Sequence, residues 1–131
     1  MMKTKSTFED LEVWQQAREF RNKISELTDS FPEKEKYKLS DQILRASRSV
    51  TANIAEGYGR FHYQENVQFA RQARGSLYET LDHLTVARDE GYIQEDTFQE
   101  FKSEVFDIVP ILNGYIRYLK RQKENNESSN S

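Results

Sequence analysis

The sequence contains no cysteine and only two prolines, five glycines and two histidines in 131 residues. Without cysteine, disulfides, thiolate metal sites and cysteine nucleophiles are all excluded. No stretch approaches the roughly 20 apolar residues that a membrane-spanning helix requires. Residues 1–7 include two lysines but no apolar run follows them, so we expect no signal peptide and a cytoplasmic location.

The scarcity of histidine also argues against catalysis and against a metal site. Neither His62 nor His83 belongs to a Glu-x-x-His pair of the kind that di-iron bundles use. Neither forms a recognisable nucleophile motif with a serine. Gly57-Tyr58-Gly59 lacks the preceding strand and the third glycine of a phosphate-binding loop. The sequence therefore predicts no catalytic residue, no metal and no cofactor.

Apolar residues recur every three or four positions in four segments, which is the spacing of helices with one buried face. The segments run from Ser6-Thr7 to Phe31-Pro32, from Leu39 to Gly57, from the joint at Tyr58–His62 to Gly91, and from about Asp96 past Leu119. Gly57 and Gly59 are expected to end the second helix in the left-handed conformation that glycine tolerates. Pro110 removes one backbone hydrogen bond and predicts a bend in the fourth helix.

Four helices of roughly 20 to 28 residues with short joints predict an all-α fold, a left-handed up-down-up-down antiparallel four-helix bundle. The three-four spacing is typical of the shallow left-handed packing of such bundles. We expect the bundle to occupy residues 8–123, after a flexible N-terminus at 1–7. The polar tail at 124–131 contains only Glu, Asn and Ser, so it has nothing to bury and is expected to be disordered.

Several motifs carry a family resemblance. They are, in order, Phe8 to Ala17, Phe31-Pro32, Tyr37 to Ile43, Arg45-Ala46, Ser49-Val50, Asn53 to Arg60 and Gly75 to Glu79. They resemble the four-helix-bundle proteins encoded in intervening sequences of bacterial 23S rRNA genes, sometimes labelled S23 ribosomal proteins. The resemblance implies a bundle that assembles into a ring-like homopentamer, without an established activity. A more distant similarity, to the accessory protein of diversity-generating retroelements, implies a nucleic-acid-binding partner of a reverse transcriptase.

A polar pair, Asn53 and Glu56, lies one turn apart near the end of the second helix, just before Gly57 and Gly59. One interpretation is a ligand site at the end of the bundle. The other is structural, with Asn53 bonded to a neighbouring helix and Glu56 paired with an arginine near the cap. Because an unsatisfied buried polar group costs about 1–3 kcal/mol, the structural interpretation is favoured.

The arginines suggest a local basic surface despite the net charge of −3, because residues 33–60 hold six Lys/Arg against four Asp/Glu. In a hairpin that turns at residue 61, Arg48 lies level with Arg74 and Arg71 lies level with Thr51. Such a cluster would span roughly 11 Å and would suit phosphate. The predicted nucleic-acid contacts are Arg45, Arg48, Arg60, Arg71 and Arg74.

Other interpretations of these cations remain open. Arg74 occupies a core position and is expected to be sequestered by Glu79, Asp41 or Glu19, or the arginines bridge subunits. The cations near the end of the last helix are Arg117, Lys120, Arg121 and Lys123, and the helix dipole is a sufficient explanation for them.

Large apolar residues also lie outside the four stripes, and they predict either a wider core or an exposed interface. They are Leu11, Trp14, Leu44, Phe61, Phe69, Phe106 and Ile116. Two hypotheses follow. In the first, a self-assembling bundle, by resemblance a pentamer, binds RNA or DNA through clustered arginines. In the second, an oligomeric scaffold serves a protein partner, such as a reverse transcriptase, without touching nucleic acid.

Overall fold

The computed structural model describes residues 6–129, apart from the side chains of the last two. Four α-helices follow one another: α1 (Glu12–Thr28), α2 (Leu39–Tyr58), α3 (Tyr63–Asp89) and α4 (Glu95–Ser129). Short 3-10 helices, Phe8–Asp10 and Glu33–Glu35, precede α1 and α2, and the described chain contains no strand. The all-α four-helix bundle is thereby confirmed, whereas its left-handed sense stays a prediction.

The start of the helical region is fixed by Thr7. Its side-chain oxygen accepts a hydrogen bond from the Glu9 amide at 3.1 Å, while the Asp10 carboxylate accepts one from the Thr7 amide at 3.1 Å. This reciprocal cap satisfies two amides that would otherwise lack partners. Leu11 then takes an extended conformation, so α1 starts at Glu12. Of the predicted flexible segment, residues 1–5 lie outside the described residues.

The predicted apolar stripes meet in a single core. Its fully buried members include Ala17 and Ile24 of α1, Ile43, Val50 and Ile54 of α2, Leu77 and Leu84 of α3, and Val105 and Leu112 of α4. Trp14 and Ile116, which lie outside the stripes, are buried as well, whereas Phe61 and Phe106 are exposed. Of the apolar residues outside the stripes, some therefore widen the core and others remain exposed on the surface.

The glycines at the end of α2 do not act as predicted. Gly57 lies inside α2, and Gly59 caps it with a φ of −77°, in the right-handed region. Gly91, after α3, is the described residue with positive φ, at 78°. Gly57 is needed for space, because a Cβ there would lie 2.6 Å from Asn66 Oδ1 and 2.9 Å from Phe69 Cβ. The left-handed caps predicted at Gly57 and Gly59 are wrong, and Gly57 instead allows α3 to approach α2 closely.

The last helix is longer than the sequence suggests. Residues 124–129 of the predicted disordered tail belong to α4, while 130–131 lie outside the described residues. No proline or glycine follows Gly114, so nothing interrupts the ladder of backbone hydrogen bonds. The helix also continues through Pro110, and the bend expected there stays a prediction.

The α1–α2 and α3–α4 joints meet at one end of the bundle. The Tyr92 hydroxyl donates a hydrogen bond to Glu35 Oε2 at 2.8 Å, and its ring packs against Phe31 with centroids 5.8 Å apart. The hydrogen bond to Glu35 raises the pKa of Tyr92 to about 12, so the phenol stays protonated near neutral pH. The α2–α3 joint therefore lies at the opposite end, beside the C-terminal part of α4.

The space at Gly57 leads to a matched pair of variants. We expect Gly57→Ala to lower the free energy of unfolding by about 1–3 kcal/mol, because the added methyl group overpacks the α2–α3 contact. Gly75→Ala, where a Cβ meets nothing within 4 Å, should raise it by about 0.5–1 kcal/mol through helix propensity. Urea denaturation of both variants measures the difference, and equal effects would contradict the close approach at Gly57.

Candidate nucleic-acid interface

Two of the predicted arginines face the last helix. Arg74 Nη1 donates a hydrogen bond to Asn113 Oδ1 at 2.7 Å, so Arg74 lies on the α4 side of α3. Arg71 is exposed and precedes Arg74 by nearly one turn, which places it on the same side. The expected pairing of Arg74 with Glu79, Asp41 or Glu19 is wrong, because its partner is the neutral amide of Asn113.

The predicted arginines of α2 lie elsewhere. Arg21 of α1 donates to the Thr51 hydroxyl at 2.8 Å, so this side of α2 faces α1. Arg48 precedes Thr51 by nearly one turn and is exposed toward that side, while Arg45 pairs with Asp41 of its own helix at 3.0 Å. Arg48 and Arg71 therefore lie on opposite sides of the α2–α3 pair, and the predicted cluster of four does not form.

The polar pair near the α2–α3 joint has a structural role. Asn53 Nδ2 donates to the Ser49 carbonyl of its own helix at 2.8 Å, so the expected bond to a neighbouring helix is absent. Glu56 pairs with Arg60 at 2.7 Å, as the structural interpretation expects. Arg60 also lies 3.8 Å from Glu65 and stacks over Phe69, with 4.9 Å from its guanidinium carbon to the ring centroid. Arg60 thus links the end of α2 to the first turns of α3.

Aromatic side chains gather at this end of the bundle, which we call the aromatic end. It consists of Tyr58, Phe61, Tyr63, Tyr115 and Tyr118. Phe61 is 94% exposed, and Tyr58, Tyr63 and Tyr118 are exposed over 39%, 37% and 47% of their surface. The aromatic end therefore presents ring surface to solvent.

The rings of the α2–α3 joint separate two adjoining clefts. The first has a volume of about 380 Å³ and lies between Phe61–Gln64 and the end of α4, at Lys123 and Glu127. The second, of about 440 Å³, is lined by the aromatic end together with Leu11, Arg60, His62, Asn66 and Leu119. Both volumes lie in the range of small-ligand pockets. Phe61, His62 and Tyr63 line both clefts, so one ligand can contact the two in succession.

The second cleft has a polar side formed by Asn66 and Tyr115. Asn66 Nδ2 donates to the Tyr115 hydroxyl at 3.2 Å, which joins α3 to α4. Asn66 Oδ1 is buried and accepts no hydrogen bond within the described structure, because it abuts the space left by Gly57. Burial raises the pKa of Tyr115, so its hydroxyl keeps the proton. The Tyr115 hydroxyl therefore remains able to donate to a ligand.

Charge is divided along α4. Residues 95–107 contain five acidic residues and one basic residue, whereas residues 117–123 contain four basic residues and no acidic one. Arg117, Lys120 and Arg121 are exposed, and within residues 6–129 none of them forms an ion pair or hydrogen bond. Because α4 continues to Ser129, these cations lie before its last turn, where the helix dipole has little effect. The dipole explanation offered by the sequence is therefore insufficient.

Tyr118 of the aromatic end lies within three residues of Arg117, Lys120 and Arg121 along α4, although these cations line neither cleft. Exposed rings and cations are the groups that single-strand nucleic-acid surfaces use, because bases stack on the rings and phosphates pair with the cations. Sequence reasoning missed this group because its members come from three separate regions, at residues 58–66, 115–123 and Leu11. The available signal was the surplus of aromatic residues at the joint, combined with the antiparallel order that brings the joint to the end of α4.

A metal site and a membrane-spanning helix were the two other features to consider in the described residues. Among residues 6–129 no three Asp, Glu or His side chains are grouped so that they could hold a metal ion. None of the helices in that range combines the length and the apolar character needed to cross a membrane.

Comparisons with known proteins identify the family of the chain. The model of the 23S rRNA-intervening sequence protein family matches residues 9–114, a range that includes the α2–α3 joint and ends before the cations at 117–123. No curated protein matches. One similar solved structure is that of a protein of unknown function from the S23 ribosomal protein family of Bacteroides thetaiotaomicron. The two sequences are 24% identical, the match covers 80% of this chain and 95% of that one, and the TM-score is 0.74. At that identity the likeness shows the fold alone. On the family match, the chain belongs to the family of 23S rRNA-intervening sequence proteins.

Proposed function

We propose that the protein is a non-enzymatic, self-associating binding protein of the cytoplasm that holds single-stranded nucleic acid at the aromatic end. The observation that carries this proposal is the exposure of Tyr58, Phe61 and Tyr118 at one end of the bundle, where Tyr118 shares a stretch of α4 with three unpaired cations, Arg117, Lys120 and Arg121. RNA is the first ligand to test, because its unpaired bases offer their faces to exposed rings.

The rings supply a contact that does not depend on base identity. Every base has a π-face, and stacking a base on a protein ring contributes about 1–3 kcal/mol as judged by alanine substitution. Phe61 stands between the two clefts, so it can separate or stack two successive bases. The single-stranded form is favoured because paired bases do not offer their faces to such rings.

The cations supply the contact with phosphates. Of the five predicted arginines, Arg60 lies at the aromatic end, while Arg71 and Arg74 face α4. Arg74 contacts Asn113 across the antiparallel pair of α3 and α4. Arg71 lies nearly one turn from Arg74, and Arg117 lies about one turn from Asn113, both toward the α2–α3 joint. Arg71 and Arg117 are therefore expected on the same side of the pair and near each other. With a net charge of −3, the protein as a whole repels a polyanion, which confines binding to this end.

Self-association would multiply a weak contact. Several aromatic ends in one assembly raise the effective concentration of the second and later contacts along a strand. Exposed apolar surface for assembly is provided by Tyr78 of α3 and Phe106 of α4, which are exposed over 47% and 46% of their surface. A homopentamer, implied by the family resemblance, is the assembly that we propose.

Removing two rings tests the site directly. We expect the double variant Phe61→Ala/Tyr118→Ala to bind a fluorescent oligouridylate about thirtyfold more weakly, because two stacking contacts are lost, about 2 kcal/mol in total. The matched control is Tyr37→Ala, since Tyr37 is 84% exposed but lies in the α1–α2 joint at the opposite end. Fluorescence anisotropy measures both. Equal affinities for wild type and double variant would contradict the proposal and leave the protein scaffold as the better hypothesis.

Salt dependence tests the cations separately. For single strands, each phosphate contact contributes a slope of about −0.7 to the plot of log affinity against log salt. We expect Lys120→Gln and Arg121→Gln together to reduce the magnitude of this slope by about 1.4. Glu124→Gln, a few residues further along α4, serves as the control and should leave the slope unchanged or slightly steeper. An unchanged slope in the Lys120/Arg121 variant would place the phosphates elsewhere.

A further inference from the structure

A second group of cations lies on the α1–α2 side of the bundle. The guanidinium carbons of Arg18 and Arg21 lie 5.9 and 5.7 Å from the centroid of the Trp14 ring. Trp14 is buried, and Phe8 contacts it edge-on with centroids 5.1 Å apart. The Trp14 ring is therefore a fixed support for two guanidinium groups.

A chain of hydrogen bonds links Arg21 to the backbone of a third arginine, on α2. Arg21 Nη1 donates to the buried Thr51 hydroxyl at 2.8 Å, and that hydroxyl donates to the Arg48 carbonyl at 3.1 Å. The Arg48 backbone therefore lies two hydrogen bonds from the Arg21 guanidinium, and its side chain is exposed. We call Arg18, Arg21 and Arg48 the arginine seat.

No carboxylate of the described residues forms an ion pair with the arginine seat. Arg45, Arg60 and Arg88 each form an ion pair with an acidic residue, whereas none of the three seat arginines does so in the described part of the chain. Glu9 and Glu19 line a shallow cleft beside Arg18 without pairing with it. The seat therefore has three arginines without an ion pair among the described residues, two of them with guanidinium carbons 5.9 and 5.7 Å from the Trp14 ring centroid.

We propose that the arginine seat binds a phosphate group. A guanidinium presents parallel N–H donors that match two phosphate oxygens, and it remains charged at any physiological pH. The Trp14 ring and the Thr51 hydroxyl hold Arg21 in place before a ligand arrives, which reduces the entropy lost on binding. Arg48 and Arg18 then close on the anion from α2 and α1.

The phosphate has two possible sources, a nucleic-acid backbone or a free phosphate. Leu11 lines the larger cleft of the aromatic end and precedes Trp14 by nearly one turn, so the arginine seat adjoins that end. A strand whose bases stack on the aromatic end can therefore reach the seat with its backbone. Phosphate binding at the seat does not require the proposed function, because a free phosphate ion would use the same donors.

Trp14 is the single tryptophan of the chain, so its fluorescence reports on the seat alone. With inorganic pyrophosphate as the probe, we expect a saturable change in fluorescence at low ionic strength. Arg48→Gln and Thr51→Val should each weaken pyrophosphate binding about fivefold, the first by removing a donor and the second by releasing Arg21. Valine keeps the shape of threonine, so Thr51→Val leaves the packing of α2 intact. Lys34→Gln is the matched control, because Lys34 is exposed, lies in the α1–α2 joint at the opposite end of the bundle, and forms no ion pair among the described residues.

The outcomes separate the seat from the proposed function. Two results would overturn the proposal. One is the same fluorescence change in a sodium chloride titration at equal ionic strength. The other is an Arg48→Gln variant that binds pyrophosphate as tightly as wild type does. Saturable pyrophosphate binding in a protein that binds no oligouridylate supports the seat with free phosphate as its source. If wild type binds the oligouridylate and Arg48→Gln reduces the magnitude of its salt slope by about 0.7, the source is the nucleic-acid backbone.

Discussion

The close approach of α3 to α2 at Gly57 is the constraint on which the aromatic end depends. The missing Cβ leaves room for Asn66, which in turn reaches Tyr115 of α4. Three helices are thereby fixed to one another within a turn of the α2–α3 joint. With the core filled behind them, Phe61 and Tyr63 have no buried position to occupy and remain on the surface. The absence of a Cβ at Gly57 thus sets the spacing of α2 and α3 next to the joint that carries these rings.

Charge is distributed unevenly along the bundle. The first part of α4 is acidic and lies near the Tyr92–Glu35 contact, whereas the later part is basic and lies beside the aromatic end. Arg71 and Arg74 lie on the α4 side of α3, whereas Arg21 and Arg48 lie on the α1–α2 side. In the proposed function, these cations are the groups that would attract a polyanion to a chain with net negative charge.

The helices and the core could be predicted because burial follows a three-four spacing that is visible in one segment at a time. That Arg48 lies level with Arg74 along the hairpin stays a prediction. The side of the helix pair on which each arginine lies could not be predicted, because each residue turns the helix by about 100° and the neighbours Thr51 and Asn113 identify the facing helix only after folding. Gly57 was misread because glycine serves both for left-handed caps and for close contacts. The arginine seat joins Arg21 to Thr51 across 30 positions, a pairing that no local pattern contains.

Photo-crosslinking tests the central claim, that single-stranded nucleic acid lies across the aromatic end. Wild-type protein is irradiated with an RNA strand that carries photoreactive uridines, digested after Lys and Arg, and analysed by mass spectrometry. The account predicts crosslinks in the peptides 61–71 and 118–120, which contain the rings of the joint and Tyr118. Crosslinks confined to the peptide 37–38, at the opposite end, or absent from both ring-bearing peptides, would contradict it.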